Sequence, residues 1–259
     1  MQSFRLPDGV LLRYLDLPGY GVPLVVVHGL GCASSCDYPV VARDPALASR
    51  RVVLIDLPGY GFSDKPEASR YGVTAHAQAV VGLVRHLGSA VVDLFGHSMG
   101  GAVAIEAAVA LGGGVRRLVL SEPNLDVGGG TFSRVIAAMA EDDYARHGHA
   151  ADVRGALETD PAWAASLAVA SPRAVHRDAV SLVVGSQPSW RTQLLGLQVP
   201  RVMIFGEHSL PDPDHEGLPA QGVGVDVVAS AGHSMAVENP SGLARAIARA
   251  LDVGAKITP

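Results

Sequence analysis

A serine flanked by two glycines is the side chain in this sequence best placed for covalent chemistry. The pentapeptide Gly96-His97-Ser98-Met99-Gly100 follows an apolar, strand-like run at residues 90–95 and precedes a helical stretch at residues 101–111. A serine at such a strand-to-helix corner has a strained backbone, and glycines two positions before and after it let strand and helix approach. The pattern predicts Ser98 as a nucleophile, with an ordinary Gly/Ser turn as the alternative.

A serine hydroxyl is a weak nucleophile at neutral pH unless a base lies within hydrogen-bond reach. Of the ten histidines, His233 is the best candidate, because it follows a strand-like run at residues 225–228 and a short Ala-Ser-Ala-Gly loop. A solvent-exposed loop histidine is the alternative. We expect His97 to pack beside the sheet, since the corner points its side chain away from that of Ser98. We expect His28 to brace the loop that follows it by hydrogen bonds.

Apolar runs rich in β-branched residues alternate with helical patterns through most of the chain. This alternation predicts an α/β fold with a mostly parallel, eight-stranded sheet flanked by helices. Right-handed crossovers bring the carboxyl ends of parallel strands to one edge, where such sheets bind ligands. The strand-like runs lie at residues 3–6, 10–15, 24–27, 52–55, 91–95, 117–120, 202–205 and 225–228, and the helical ones at 75–87, 102–111 and 241–251.

Residues 126–198 break this alternation. They contain no convincing strand, and their length exceeds that of a usual crossover, which favours an inserted unit. We predict a helical cap at 126–198, inserted between strands six and seven of a core domain formed by residues 1–125 and 199–259. Ordinary crossover helices are the alternative. The helical patterns lie at residues 132–147, 151–158, 161–170 and 172–184.

Length and composition limit the classes of protein that fit. With 259 residues, 48% hydrophobic and 17% charged, the chain suits one large domain, alone or with an insertion, built on a sizeable core. A net charge of −5 without a basic cluster argues against nucleic acid or an anionic membrane as a partner. No signal-peptide pattern or bilayer-spanning segment stands out, so we predict a cytoplasmic protein with a small-molecule substrate.

The two cysteines, Cys32 and Cys36, are too few for a structural zinc site, which needs four thiolate or imidazole ligands at suitable spacing. A redox pair is one interpretation of their spacing, and two reduced thiols in the loop after the third strand is the preferred one. We predict neither a bound metal nor another cofactor.

Four short segments, each directly after a predicted strand, resemble those of one protein family. They are His28-Gly29-Leu30-Gly31, the segment DLPGYGFS at residues 56–63, the pentapeptide around Ser98, and Gly232-His233. With them the chain resembles the α/β-hydrolase superfamily over nearly all of its length apart from the cap. The resemblance implies the α/β-hydrolase fold, transfer of an acyl group to water through a serine ester, and roles for Ser98 as nucleophile and His233 as base.

The acid that would orient the histidine departs from the common pattern. Many members of the superfamily place an aspartate after strand seven, in a Gly-Glu/Asp-x-Asp pattern, but this chain has Gly206-Glu207-His208-Ser209. Haloalkane dehalogenases and some lactonases of the superfamily use the tip of strand six, where Glu122 stands here. We therefore predict a triad of Ser98, Glu122 and His233. A helix or loop cap is the alternative role of Glu122, and the alternative acids are Asp212, Glu207 and Asp214.

An acyl-transfer site also needs two hydrogen-bond donors for the oxyanion of the tetrahedral intermediate. We predict that one is the backbone amide of Met99, which begins a helix whose positive end faces the site. The other is expected in the loop after strand three, at the amide of Leu30, with Gly29 as the second choice.

The leading hypothesis is a serine hydrolase that cleaves a carboxylic ester, lactone or thioester of a small apolar substrate through an acyl-enzyme. Three alternatives stay open: a carbon–carbon bond hydrolase with the same triad, a cofactor-free dioxygenase, and a non-catalytic ligand-binding protein of the same fold. Four apolar residues of the cap suggest an apolar pocket, although core packing is the preferred role for each: Trp163, Trp190, Met139 and Leu167.

Overall fold

The computed structural model describes residues 1–68 and 71–252. Its strands are β1 (Gln2–Arg5), β2 (Leu11–Leu17), β3 (Tyr20–Val27), β4 (Arg50–Asp56), β5 (Val92–His97), β6 (Val115–Ser121), β7 (Arg201–Gly206) and β8 (Gly224–Val228). They form one eight-stranded sheet in the order β1-β2-β4-β3-β5-β6-β7-β8. Strands β3 to β8 are parallel to one another. At one edge, β2 pairs antiparallel with β4, and β1 pairs antiparallel with β2. The predicted mostly parallel α/β sheet is confirmed.

Helices cover both faces of the sheet. Those of the described chain are α1 (Ser34–Asp37), α2 (Pro39–Ala42), α3 (Val73–His86), α4 (Met99–Leu111), α5 (Thr131–Ala137), α6 (Glu141–Asp143), α7 (His149–Thr159), α8 (Pro161–Ala168), α9 (Pro172–Val184), α10 (Trp190–Gly196), α11 (Pro213–Gly217), α12 (Met235–Glu238) and α13 (Pro240–Asp252). Over residues 1–68 and 71–252, none of them combines the length and the apolar character needed to cross a bilayer.

The central strands are apolar throughout because both of their faces are buried. In β3, Val25 and Val27 pack in the apolar cluster that contains α3 and α4, whereas Leu24 and Val26 pack in the cluster that contains α2 and α13. Each of these four side chains is at most 2% exposed. The period of two that a strand imposes is therefore hidden in the sequence, and a continuous apolar run results.

Between β6 and β7 the described chain is helical, from α5 to α10, without a strand. The stretch is helical as predicted, and its role as an inserted cap stays a prediction. The boundaries at residues 126 and 198, and the division of the chain into a core domain and a cap, stay predictions.

One predicted cap helix is wrong. The pattern at residues 132–147 predicts a single helix, but α5 ends at Ala137 and the backbone of Ala140 is extended, at φ −66° and ψ 143°. The carbonyl of Met139 accepts a hydrogen bond from Nε2 of His176 at 2.9 Å. A contact from α9 thus takes up a carbonyl that a continuous helix would use for itself, and local periodicity contains no sign of it.

Candidate active site

Ser98 stands at the corner between β5 and α4, with φ 52° and ψ −121°. A side chain at either flanking glycine would clash with backbone: a Cβ on Gly96 would lie 2.3 Å from the carbonyl oxygen of Gly100, and one on Gly100 would lie 2.3 Å from that of His28. The amide of Ser98 donates to the carbonyl of Ser121 at 2.9 Å. The corner is therefore tied to the neighbouring strand, and its steric need for glycine matches the sequence prediction.

Glu122 directly follows β6 and joins two other strand ends. Its backbone has φ 40°, which is unusual for a residue with a side chain. The carboxylate oxygen Oε2 accepts a hydrogen bond from Nδ1 of His233 at 2.7 Å. The other oxygen, Oε1, accepts from the amide of Gly206, at the end of β7, at 2.8 Å. The carboxylate thus bridges β7 and the loop after β8, and it orients the imidazole.

The surroundings of Glu122 favour its charged form. Burial raises the pKa of this carboxyl, but the hydrogen bonds from His233 and Gly206 and the influence of Ser209 outweigh burial, so that the net pKa is lowered. An ionised carboxylate on Nδ1 keeps the proton on that nitrogen and leaves Nε2 free to act as a base.

The other carboxylates considered as the acid have different partners. Glu122 is the one of the four for which the structure gives a hydrogen bond to His233. Asp212 Oδ1 accepts from the amide of Asp214 at 2.7 Å, and Glu207 Oε2 accepts from the amide of Ser230 at 2.8 Å. Both oxygens of Asp214 accept from the guanidinium of Arg191, Oδ1 at 2.6 Å and Oδ2 at 3.1 Å.

His97 does not lie where the sequence suggested. We expected it to pack beside the sheet, but its ring lies 4.7 Å from that of His233, between centroids. Its Nε2 donates to the carbonyl oxygen of His233 at 3.0 Å. Burial lowers the pKa of His97 to about 3, so the ring is neutral and can donate from one nitrogen only. His97 therefore supports the loop of His233, because the end of β5 faces that loop.

His28 makes the bracing bonds expected from the sequence. Its Nδ1 donates to the carbonyl of Gly29 at 2.8 Å, and its Nε2 accepts from the amide of Leu57 at 3.0 Å. Burial lowers the pKa of His28 to about 4, which keeps the ring neutral and fits one donor and one acceptor nitrogen. The carbonyl of Gly29 also accepts from the amide of Cys32 at 3.2 Å. The loop after β3 is thereby held from both sides.

Of the residues with the two predicted oxyanion donors, Met99 follows Ser98 in the chain and Leu30 lines the same cavity as Ser98. Met99 begins α4 directly after Ser98, and its side chain is fully buried in the core. Leu30 belongs to the loop after β3, and its carbonyl accepts a hydrogen bond from Nε1 of Trp163 at 3.0 Å. The role of the two amides as oxyanion donors stays a prediction.

A cavity of about 520 Å³ contains these residues. Its lining includes Ser98, Glu122, His233 and Leu30, which the chain supplies from four separate loops at the carboxyl edge of the sheet. The rings of Phe132 and Trp163 lie 4.8 Å apart on the cap side. The lining residues given by the described chain include several carboxylates and no lysine or arginine.

The four apolar residues of the predicted cap differ in their surroundings. Trp163 lines the cavity and also packs against the apolar cluster that contains α3 and α4, so it has both of the roles considered for it. Trp190 and Leu167 are buried as expected, and Nε1 of Trp190 donates to Oε1 of Glu106 at 2.8 Å. Met139 is 36% exposed and lies at the surface instead of in the core. The thiol of Cys32 also lines the cavity, and burial raises its pKa well above the usual range.

Comparisons with known proteins identify the family of this fold. Residues 24–246 match the model of the alpha/beta hydrolase family. A 2-hydroxy-6-oxo-2,4-heptadienoate hydrolase of Pseudomonas putida is 37% identical over 116 residues, which are 44% of this chain and 42% of that protein. The matches span less than half of the length of the first curated relatives.

Solved structures support the fold over the whole chain. A thermophilic esterase from Thermogutta terrifontis is similar with a TM-score of 0.81 at 21% identity, covering 98% of this chain and 99% of the other. An N-acyl homoserine lactonase is similar with a TM-score of 0.77 at 18% identity, covering 100% and 98%. At these identities the likeness concerns the fold.

Proposed function

This chain belongs to the alpha/beta hydrolase family, and we propose that it is a serine hydrolase that cleaves a carboxylic ester, lactone or thioester of a small, mostly apolar substrate. One observation carries the proposal. The imidazole of His233 is held by Glu122 at 2.7 Å, and both line the same cavity as the strained Ser98. A nucleophile, a base and a group that orients the base are the parts that acyl transfer requires.

In the proposed reaction Nε2 of His233 takes the proton of the Ser98 hydroxyl while Oγ attacks the carbonyl carbon. The amides of Met99 and Leu30 bind the oxyanion that develops, and Glu122 stabilises the imidazolium. Collapse of the tetrahedral intermediate breaks the bond to the leaving group, which receives the proton from His233. Water, deprotonated by His233, then attacks the acyl carbon; the bond to Oγ of Ser98 breaks, Oγ takes the proton back from His233, and the carboxylic acid leaves.

The relative from Pseudomonas putida suggests carbon–carbon bond hydrolysis as the second candidate. The dienoate in its name carries a carboxylate, which needs a positive partner or water when it enters a protein cavity. The described lining offers no lysine or arginine, and it includes Asp160, Asp212 and Asp214. Arg191 offsets the charge of Asp214, and the charges of Asp160 and Asp212 disfavour an anionic substrate, so we propose an ester or lactone over a dienoate.

A panel of p-nitrophenyl esters of increasing acyl length, one lactone and one dienoate tests the assignment. We expect hydrolysis of the neutral substrates and a fall in kcat by a factor of about a thousand or more in Ser98→Ala. Ser241→Ala is the matched control, because the hydroxyl of Ser241 bonds Asp44, and both residues lie outside the lining of the cavity of Ser98.

Each other outcome identifies an alternative. Preferred cleavage of the dienoate by the wild type would make the chain a carbon–carbon hydrolase. Oxygen consumption that survives Ser98→Ala would make it a cofactor-free dioxygenase. Ligand binding without turnover, together with no reaction of Ser98 with a fluorophosphonate, would make it a binding protein of this fold.

A further inference from the structure

The first turn of α8 bonds two loops of the proposed active site at once. Asp160 precedes this helix, and its Oδ1 caps the helix by accepting from the amide of Trp163 at 3.0 Å. The second carboxylate oxygen, Oδ2, accepts from the hydroxyl of Ser234 at 3.0 Å. The indole Nε1 of Trp163 donates to the carbonyl of Leu30 at 3.0 Å. Ser234 is the neighbour in sequence of the proposed base, His233. Leu30 is the residue whose amide is a proposed oxyanion donor.

The loop after β3 is shaped to receive the indole. Gly31 has φ +73°, and a Cβ on it would lie 2.7 Å from Nε1 of Trp163 and 3.0 Å from Cδ1 of Leu167. Only a residue without a side chain fits this backbone and this approach. Trp163 therefore packs directly on the backbone of the loop and fixes the peptide that carries the Leu30 carbonyl.

Oxyanion donors act through preorganisation, since a donor that must first reorient contributes less to the transition state. Leu30 carries the amide proposed to bind the oxyanion and the carbonyl that Trp163 holds, so restraining the carbonyl limits rotation of the whole residue. Ser234 follows the proposed base directly, so its bond to Asp160 restrains the backbone that carries the imidazole. Both restraints come from one helical turn of the cap.

We propose that Asp160 and Trp163 are positioning residues, through which docking of the cap completes the geometry of the oxyanion donor and the base. The inference rests on the proposed serine hydrolase function. In this arrangement the cap does more than shape the substrate cavity, because the first turn of α8 fixes the relative positions of the Leu30 loop and the His233 loop.

A purely structural role for these bonds predicts a different result. The cap is fastened to the core elsewhere, by Ser166 to Asp37 at 2.8 Å and by Trp190 to Glu106 at 2.8 Å. The bond of Trp190 reaches α4 and not the loops of Leu30 and His233, whereas Asp37 also accepts from the amide of Ala33, in the loop after β3, at 2.9 Å. Trp190 is a matched control for Trp163, since each tryptophan donates one indole hydrogen bond from the cap to the core.

The test compares Trp163→Phe with Trp190→Phe on p-nitrophenyl esters of increasing acyl length. Phenylalanine keeps an aromatic ring and removes the donor. For Trp163→Phe we expect kcat to fall about tenfold, by the same factor for every acyl length, with KM within about twofold and a melting temperature close to that of the wild type. For Trp190→Phe we expect a lower melting temperature and an unchanged kcat.

Ser234→Ala provides a second route to the same conclusion if Trp163→Phe folds poorly. It removes the bond to Asp160 and leaves the helix cap intact, so we expect a several-fold fall in kcat at unchanged KM. Equal kcat in wild type, Trp163→Phe and Ser234→Ala would overturn the inference. A loss that varies with acyl length would also overturn it, since substrate contact alone would then explain the effect. Absence of any hydrolysis by the wild type would instead overturn the proposed function.

Discussion

The phenol of Tyr60 donates a hydrogen bond to the carboxylate of Asp178 at 2.5 Å, and both residues are fully buried. Tyr60 lies in the loop after β4, whereas Asp178 lies on α9 in the cap. The same carboxylate oxygen lies 2.8 Å from Nε2 of His76 on α3. A single buried carboxylate thus joins α9 to α3 and to the loop after β4.

We predict that Tyr60→Phe lowers the free energy of unfolding by about 2 kcal/mol, because a hydrogen bond to a buried charged group is lost. Urea unfolding followed by circular dichroism measures the change. Tyr71→Phe is the control, since the hydroxyl of Tyr71 bonds a neutral, half-buried carbonyl of Pro66 at 2.8 Å. A loss for Tyr60→Phe no larger than that of the control would contradict the role given to Asp178.

Glu122→Gln tests the acid of the proposed triad. Glutamine fills the same space but lacks the charge that stabilises the imidazolium and fixes its tautomer, so we expect kcat to fall by about a thousandfold or more. Steady-state kinetics on a p-nitrophenyl ester measures it. Glu207→Gln, which affects the bond to Ser230 only, serves as the control. Near-full activity of Glu122→Gln, together with loss of activity in Asp212→Asn, would show that the acid is Asp212.

His97 makes stability depend on pH. Its pKa is about 3 in the folded protein against 6.5 in the unfolded chain, so unfolding takes up a proton between these values. The contribution to stability is complete above pH 6.5 and is lost as the pH falls toward 3. We expect His97→Gln, which can still donate to the carbonyl of His233, to lose less stability over this range than the wild type.

Urea midpoints measured between pH 3 and pH 7.5 test this dependence. The exposed cap residue His147 offers a control, since His147→Gln is expected to follow the wild type. Parallel curves for the wild type and His97→Gln would show that the neutral His97 ring makes no difference to acid stability.

The charge of the cavity predicts a preference among acyl groups of equal size. An ester whose acyl chain ends in a carboxylate would enter a cavity lined by Asp160 and Asp212, and we expect its kcat/KM to be at least about tenfold below that of the neutral butyrate ester. Added salt should reduce the difference in kcat/KM between the two esters because it screens the charges. Asp212→Asn should reduce this difference as well. Equal rates for the two esters at low salt would contradict this prediction.

The sheet could be read from the sequence because its central strands are short apolar runs bounded by turn residues. Val25 and Val27 on one face and Leu24 and Val26 on the other produce such a run, since helices bury both faces. The corner at Ser98 was also predictable, because a side chain at Gly96 or Gly100 would clash with nearby backbone. Local chemistry of this kind is visible in a single sequence.

Features that depend on distant contacts were not visible. The end of the helical pattern near Met139 coincides with the hydrogen bond from His176 to the Met139 carbonyl. The position of His97 depends on its hydrogen bond to the carbonyl of His233, in the loop after β8. The contact of Trp163 with the Leu30 carbonyl joins residues far apart in the chain. A tryptophan four residues before Leu167 in an apolar helix resembles ordinary core packing, and no local signal distinguishes the two roles.

A pre-steady-state measurement with a p-nitrophenyl ester, combined with mass spectrometry of the quenched protein, tests the acyl-enzyme at Ser98 most directly. We expect a burst of close to one p-nitrophenolate per molecule and an acyl group on the peptide that contains Ser98. Ser98→Ala should show neither. Turnover of the ester by Ser98→Ala at the wild-type rate, with no acyl group on any peptide of the wild type, would contradict an acyl-enzyme at Ser98.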